Sequence, residues 1–414
     1  MKKLQNIFFS LLIFSLAFLG QWAFSSPNIA YAQTIPNTTL KVALFPYIPD
    51  SAQDQYQALL TRIESEFETQ NPSIDLVLKP LNPDEEGFYN LDTLKQWLSN
   101  STNEQNGYHL VEIDTLLLGD LVKANVAKAW NNPENTKDWY PAGLNAVTIN
   151  GNIYGIPHLL CGHFIFSRND QVVKTKSVDK ILTILQSITP DIPNLAGDLT
   201  GSWNLPALYL DAWADTYGTK EIDSALSPNL DKLVIKSFKK FANNCQVGDA
   251  NPCFDKYGDV DSGAEAFINN QVDAFFGYSE RLSYIFKNGI NPDVKLASLP
   301  LSEGSNPVLF VDALVLRQDC NQTCQNAANK FAAYLDNPNT QEWILSSKDA
   351  GVNGIPRYLI PATYSAFKTD SLHKDSYYKT LEKVIKNAVP YPNSGFPEVR
   401  KTLKQLILKE LQQG

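Results

Sequence analysis

The sequence predicts an α/β protein of two domains, or one two-lobed unit, built on a mainly parallel sheet with helices on both faces. Short apolar runs alternate with stretches of helical spacing, the pattern of strands joined by crossover helices. A length of 414 residues is ample for a large core and for more than one compact domain. With 43% hydrophobic and 19% charged residues the composition is ordinary globular, which excludes a disordered, collagen-like or disulfide-dense chain. The 35 basic and 44 acidic side chains leave a formal charge of −9. That balance argues against a general nucleic-acid binder, because phosphate binding needs a surplus of Lys and Arg.

In chain order, the first 32 residues read as a secretory signal peptide. Lys2 and Lys3 precede an apolar run from Ile7 to Phe24, and small and polar residues then lead to Ala30-Tyr31-Ala32. Cleavage after Ala32 removes two lysines and no acids, so the charge becomes −11. No later run has the length of a membrane span, so no membrane insertion is expected after cleavage. The expected location is secreted or periplasmic; a leader does not separate the two. Thr39–Phe45 then reads as a buried strand, Ala52–Glu68 as a helix, Ile74–Leu78 as a strand, Leu91–Leu98 as a helix and His109–Ile113 as a strand. The run YGIPHLLCGHFIFSR, starting at Tyr154, is extended and is followed by a mostly helical stretch. Ser262-Gly-Ala-Glu265 has the form of a capping box opening a helix. Strands are expected at Val272–Tyr278, Val294–Leu299 and Val308–Leu316, with helices to the end.

Export brings the cysteines into an oxidising compartment, where thiols tend to pair. There are five: Cys161, Cys245, Cys253, Cys320 and Cys324. Cys245 with Cys253 and Cys320 with Cys324 are close enough to close small loops, although spacing leaves the connectivity open. That pairing would leave Cys161 over, either as a buried inert side chain or as a reactive thiol.

Ligands of open α/β sheets gather at the carboxyl ends of the strands. Tyr47 lies just past the first strand and Asp114 just past the third. Tyr278 and Glu280 close the segment DAFFGYSE, and two residues apart in an extended chain they point the same way. Asp312 lies within PVLFVDALVL, where a carboxylate either lines a functional cleft or meets a donor. Taken singly, each is a weak signal, since strand ends more often serve as turns or caps.

LKVALFPYIPD, YGIPHLLCGHFIFSR, FFGYSE and VLFVDALVL together resemble thiaminase I, the secreted thiamine pyridinylase. The resemblance spans nearly the whole chain after the leader. Its most specific piece is YGIPxLLC, which puts a cysteine where solute-binding proteins normally have none. It implies a two-lobed periplasmic-binding-protein-like fold (type II), each lobe a mainly parallel sheet flanked by helices, with a cleft between. The implied lobes are residues 39–160 with 300–350, and 161–299 with 351–414. It implies an enzyme that displaces the thiazole of thiamine and installs an amine or thiol acceptor. Cys161 maps onto the family nucleophile and Glu280 onto its general base, while Tyr47, Asp114, Tyr278 and Asp312 map onto cleft residues that bind substrate. No cofactor or metal is implied, and the two-lobed shape usually works as a monomer.

The residue types fit this chemistry. A cysteine of ordinary pKa, about 8.5, is only a few per cent thiolate at neutral pH and needs activation. A neighbouring carboxylate raises a thiol's pKa, so Glu280 is expected to act by taking the proton as Cys161 adds to the pyrimidine. An acidic cleft suits a cationic thiazolium, and tyrosines offer flat faces to its rings. Among rivals, His158, Cys161 and His163 suggest a metal site, but strand alternation divides them between two faces and no fourth ligand is evident. A papain-like Cys161–His163 pair lacks that family's local signature. The main alternative is a non-catalytic binding protein for a thiamine-like or other cationic solute, and Cys161 with Glu280 distinguishes the two.

Overall fold

The first apolar runs form β1 (Thr38–Ala43), β2 (Ile74–Leu78) and β3 (Leu110–Asp114), which pair in parallel in the order β2-β1-β3. The computed structural model describes residues 38–81, 86–99, 107–131, 133–188, 195–259, 261–289 and 293–412; the expected leader lies outside them. Helix Gln57–Gln70 links β1 to β2 and buries Leu59, Ile63 and Phe67, one stripe at four-residue spacing. It starts later than the apolar spacing from Ala52 predicts. The Asp50 carboxylate accepts the N–H groups of Gln53 and Gln55, both at 3.0 Å, and Gln53, Gln55 and Tyr56 have left-handed φ. Local side-chain bonding there outcompetes the helix. Helix Leu91–Ser99 buries Leu94, Trp97 and Leu98 and leads into β3.

Short strands follow: β4 (Ala127–Lys128), and then β5 (Thr148–Ile149) and β6 (Asn152–Ile153), which form a separate hairpin. The long strand β7 (Gly155–Ser167) comes next. The remaining strands are β8 (Leu195–Ala196), β9 (Ala274–Tyr278), β10 (Lys295–Ser298), β11 (Val308–Arg317), β12 (Ile360–Pro361) and β13 (Val389–Pro390). The main sheet runs β2-β1-β3-β11-β7-β9-β8. Parallel pairing holds for β2-β1-β3 and for β8 with β9, whereas β11 and β7 run antiparallel to both of their neighbours on this path.

The strand β7 changes partners partway along. Gly155–Gly162 pair with β11, and His163–Ser167 pair with β9, with Phe164–Ser167 flanked on the other edge by β10. Gly162 sits at the change, where a Cβ would stand 2.7 Å from Leu309 Cδ2. Beyond it Phe166 stacks on its register partner Phe275, with centroids 4.4 Å apart. Burying such a ring contributes roughly 2–3 kcal/mol.

The helix expected to open at the capping box does begin at Ser262, but no side chain caps it in that way. The Asp259 carboxylate, earlier in the chain, takes the Asp261 and Ser262 N–H groups instead, at 3.0 and 2.8 Å. The cysteines pair as Cys245–Cys253 and Cys320–Cys324, and Cys161 is free. No helix among the described residues is long and apolar enough to cross a membrane.

Candidate active site

Strand register brings the site together. Cys161 faces Phe310 across β7 and β11, His163 faces Tyr278 across β7 and β9, and Asp114 faces Asp312 across β3 and β11. Residues two apart on a strand share a face, so Cys161 with His163 and Phe310 with Asp312 extend one continuous surface. Cys161 is the one position of β7 that is only partly buried. Its neighbours Leu160 and Gly162 are covered, so the strand presents the thiol alone.

Glu280 reaches this surface from the turn after β9. The strand ends at Tyr278, and Glu280 has helical backbone angles at the start of helix Arg281–Asn288. Extended alternation therefore does not carry as far as Glu280; the turn aims it. Cys161 Sγ lies 3.7 Å from Glu280 Oε2, within sulfur hydrogen-bond range, and Arg281 Nη2 lies 3.6 Å from Glu280 Oε1. Arg281 is itself held by Asp261. Burial, followed by the charges of Glu280 and Asp312, pushes the Cys161 thiol well above its usual range, with Arg281 opposing. Burial also raises Glu280, against the pull of Arg281. Burial thus makes the thiol a weaker acid and the carboxylate a stronger base than either is in water.

Asp114 both caps and lines the site. Its Oδ1 accepts the Leu116 N–H at 3.0 Å to start the short helix Thr115–Leu117, while its Oδ2 accepts the Tyr89 hydroxyl at 3.3 Å. Burial raises it to about 7 despite those two bonds. Asp312 is also pushed well above the usual carboxylate range, by burial first and then by the charges of Asp114, Glu112 and Glu280. Glu112, two residues before Asp114 and fully buried, accepts the Phe45 N–H at 2.9 Å and lies 2.6 Å from His158 Nδ1. His158 is the extra residue of a bulge, since Leu159 pairs with Asp312 and Pro157 with Ala313. His158, Cys161 and His163 thus turn to three separate partners: Glu112, Glu280 and Asp211. No group of three or more metal-ligating side chains occurs among the described residues.

Aromatic rings border the acids. Tyr278 donates its hydroxyl to Asn204 Oδ1 at 2.9 Å and stacks on His163. Tyr47, at 39% exposure the most open of the expected residues, packs 5.8 Å from Tyr89. Tyr89 lies 4.9 Å from Trp203, and these two rings also line a cavity of about 350 Å³ with Asp120 and Arg400. All six expected residues therefore gather at one face. Tyr89, Phe310 and Asn204 join them without having been singled out in the sequence. Phe310 had a signal, being two residues before Asp312 on the same strand. Tyr89 had none, because it sits in a single-turn segment, Glu86–Tyr89, away from any strand end.

Residues 89–379 match the model of the bacterial extracellular solute-binding protein family, and the chain belongs to that family. Within this class it is similar to Thiaminase-1 of Paenibacillus thiaminolyticus, with 25% identity over 391 residues, 91% of this chain and 88% of that protein. Among solved structures it resembles Clostridium botulinum thiaminase I in complex with thiamin, with a TM-score of 0.73, 22% identity and coverage of 90% of this chain and 100% of that one. Maltose-bound MalE3 of T. maritima shares the fold at a TM-score of 0.64 and 14% identity, covering 90% of this chain and 99% of that one. The periplasmic-binding-protein-like fold is the one the sequence resemblance implied.

Proposed function

We propose that the protein is a secreted or periplasmic, monomeric enzyme of the thiaminase I type, which transfers the pyrimidinylmethyl group of thiamine to an amine or thiol. The observation that carries this reading is the Cys161–Glu280 contact of 3.7 Å, made by the one partly open position of β7. A binding protein for solutes has no need of such a pair. In the first half-reaction the Cys161 sulfur bonds to a pyrimidine ring carbon and its proton passes to Glu280. The thiazolium then leaves as neutral thiazole, taking the electron pair of its bond to the methylene carbon. In the second half, an amine attacks that methylene and the ring expels the sulfur. Glu280 returns its proton to the departing thiolate, and the surplus amine proton goes to solvent.

The remaining site residues take supporting roles. Asp312, whose burial and acidic neighbours favour its protonated form, can donate to a ring nitrogen where charge builds as sulfur adds. Asp114 is placed to accept from the ring's amino group, and Tyr47 and Tyr278 provide stacking faces. The lobes are residues 39–160 with 300–350 and 161–299 with 351–414; the change of partners within β7 supports this division. Closure of the lobes would exclude water that competes with the acceptor.

The test is direct. Purified protein incubated with thiamine and an aniline-type amine should release thiazole, followed by absorbance, and Cys161→Ser should bind thiamine without turnover. Binding without turnover in both proteins would sink the catalytic reading in favour of a solute-binding one.

A further inference from the structure

We propose that His163 is a positioning residue, held as a buried imidazolium with both ring nitrogens protonated, which locks the Tyr278 ring at the Cys161 face. Its Nδ1 lies 2.7 Å from Asp211 Oδ2 and its Nε2 lies 2.7 Å from Asn204 Oδ1. The orientation of Asn204 follows from its other end, because its Nδ2 donates to the Asp198 carbonyl at 2.7 Å. Asn204 Oδ1 also accepts the Tyr278 hydroxyl, and Asp211 Oδ1 accepts the Tyr391 hydroxyl. With Asp211 as the carboxylate, the weaker base of the pair, both groups facing the ring are acceptors and both hydrogens come from the imidazole. In a neutral tautomer, one lone pair would face an oxygen at 2.7 Å inside the protein, where an unmade hydrogen bond is costly. As a cation next to a carboxylate, His163 instead makes two charge-assisted bonds.

The packing explains what this cation does. His163 is buried, and its ring stacks on Tyr278 with centroids 4.9 Å apart and planes 28° apart. Phe310, the register partner of Cys161, meets the imidazole edge-on at 5.8 Å. Tyr278 is thus fixed twice, by its hydroxyl on Asn204 and by its face on the imidazole. The titratable groups around the ring are Asp211 on helix Asn204–Tyr217, Tyr391 beyond β13, Tyr278 on β9 and Cys161 two residues back on β7, with Asp198 behind Asn204. Asp211 supplies the countercharge, so the network adds no net charge to the floor of the site.

The protonation state is tested on the full chain after leader removal, with ¹⁵N-labelled histidine. The chain has four histidines, so the His163 signals are assigned by their loss in His163→Gln. Two proton-bearing nitrogens at pH 7 are the expected result. One bare, lone-pair-bearing nitrogen would overturn the proposal. The positioning role rests on the thiaminase reading and is tested separately: His163→Gln should raise the KM for thiamine about tenfold and change kcat less than threefold. An unchanged KM, or equal loss in kcat and kcat/KM, would overturn that role. Should the wild type show no turnover at all, the functional reading fails, while the nitrogen spectrum still decides the charge.

Discussion

At Cys161 and Glu280, burial acts on both ends of the proposed proton transfer. It holds the thiol protonated and makes the carboxylate a stronger base, so attack and proton transfer are expected to be coupled. Glu280→Gln keeps the shape of the side chain and removes the base. It should lower kcat by about 10²–10⁴-fold with thiamine binding retained, as steady-state kinetics and calorimetry would show. A loss below tenfold would assign the base elsewhere. Cys161 was legible by arithmetic, as the cysteine left when two close pairs are set aside. Glu280 was legible only through its motif, since a turn rather than strand alternation aims it. Tyr89 was illegible, because its bond to Asp114 joins segments with no shared periodicity.

At the scale of elements, the short strand β3 ends in a carboxylate that serves the fold and the site together. An acid raised from 3.8 in the unfolded chain to about 7 when folded costs stability as pH rises between those values, because only the unfolded chain gains its charge there. Asp114→Asn keeps an acceptor for the Leu116 N–H and removes that cost. The variant should gain on wild type by up to about 4 kcal/mol at pH 8, with the gain shrinking toward pH 4. Urea unfolding at both values checks this, and an equal difference at both would contradict it. The two disulfides close loops of eight and four residues of separation. In the chain-entropy account each contributes about 2–3 kcal/mol, so reduction should lower the unfolding midpoint while thiol labelling of the oxidised protein finds Cys161 alone. More than one labelled thiol would contradict that pairing. Ile74–Leu78 was read correctly to the residue, because a buried strand between turn residues has few alternatives. The start of the first helix was misplaced, because Ala52 and Tyr56 extend its apolar spacing backward while the Asp50 carboxylate binds the Gln53 and Gln55 N–H groups in a turn.

For the whole molecule, one strand connects the two ends of the sheet and carries the thiol near its change of partners. Placing the proposed nucleophile there would let closure of the proposed lobes assemble base, acids and rings around it in one movement. The formal charge of −11 after leader removal favours approach of the proposed cationic substrate. The overall architecture was legible because alternating strands and helices are a long-range pattern; the antiparallel placing of β7 and β11 was not, since strand direction leaves no trace in composition. The central claim is a covalent bond from Cys161 to the thiamine pyrimidine. It is tested most directly by mixing protein with thiamine without amine, quenching in acid and mapping peptides by mass spectrometry. The account predicts a pyrimidine adduct on the Cys161 peptide, with about one thiazole released per chain, and neither product from Cys161→Ser. Sustained thiazole release by Cys161→Ser, or by wild type with Cys161 never modified, would contradict it.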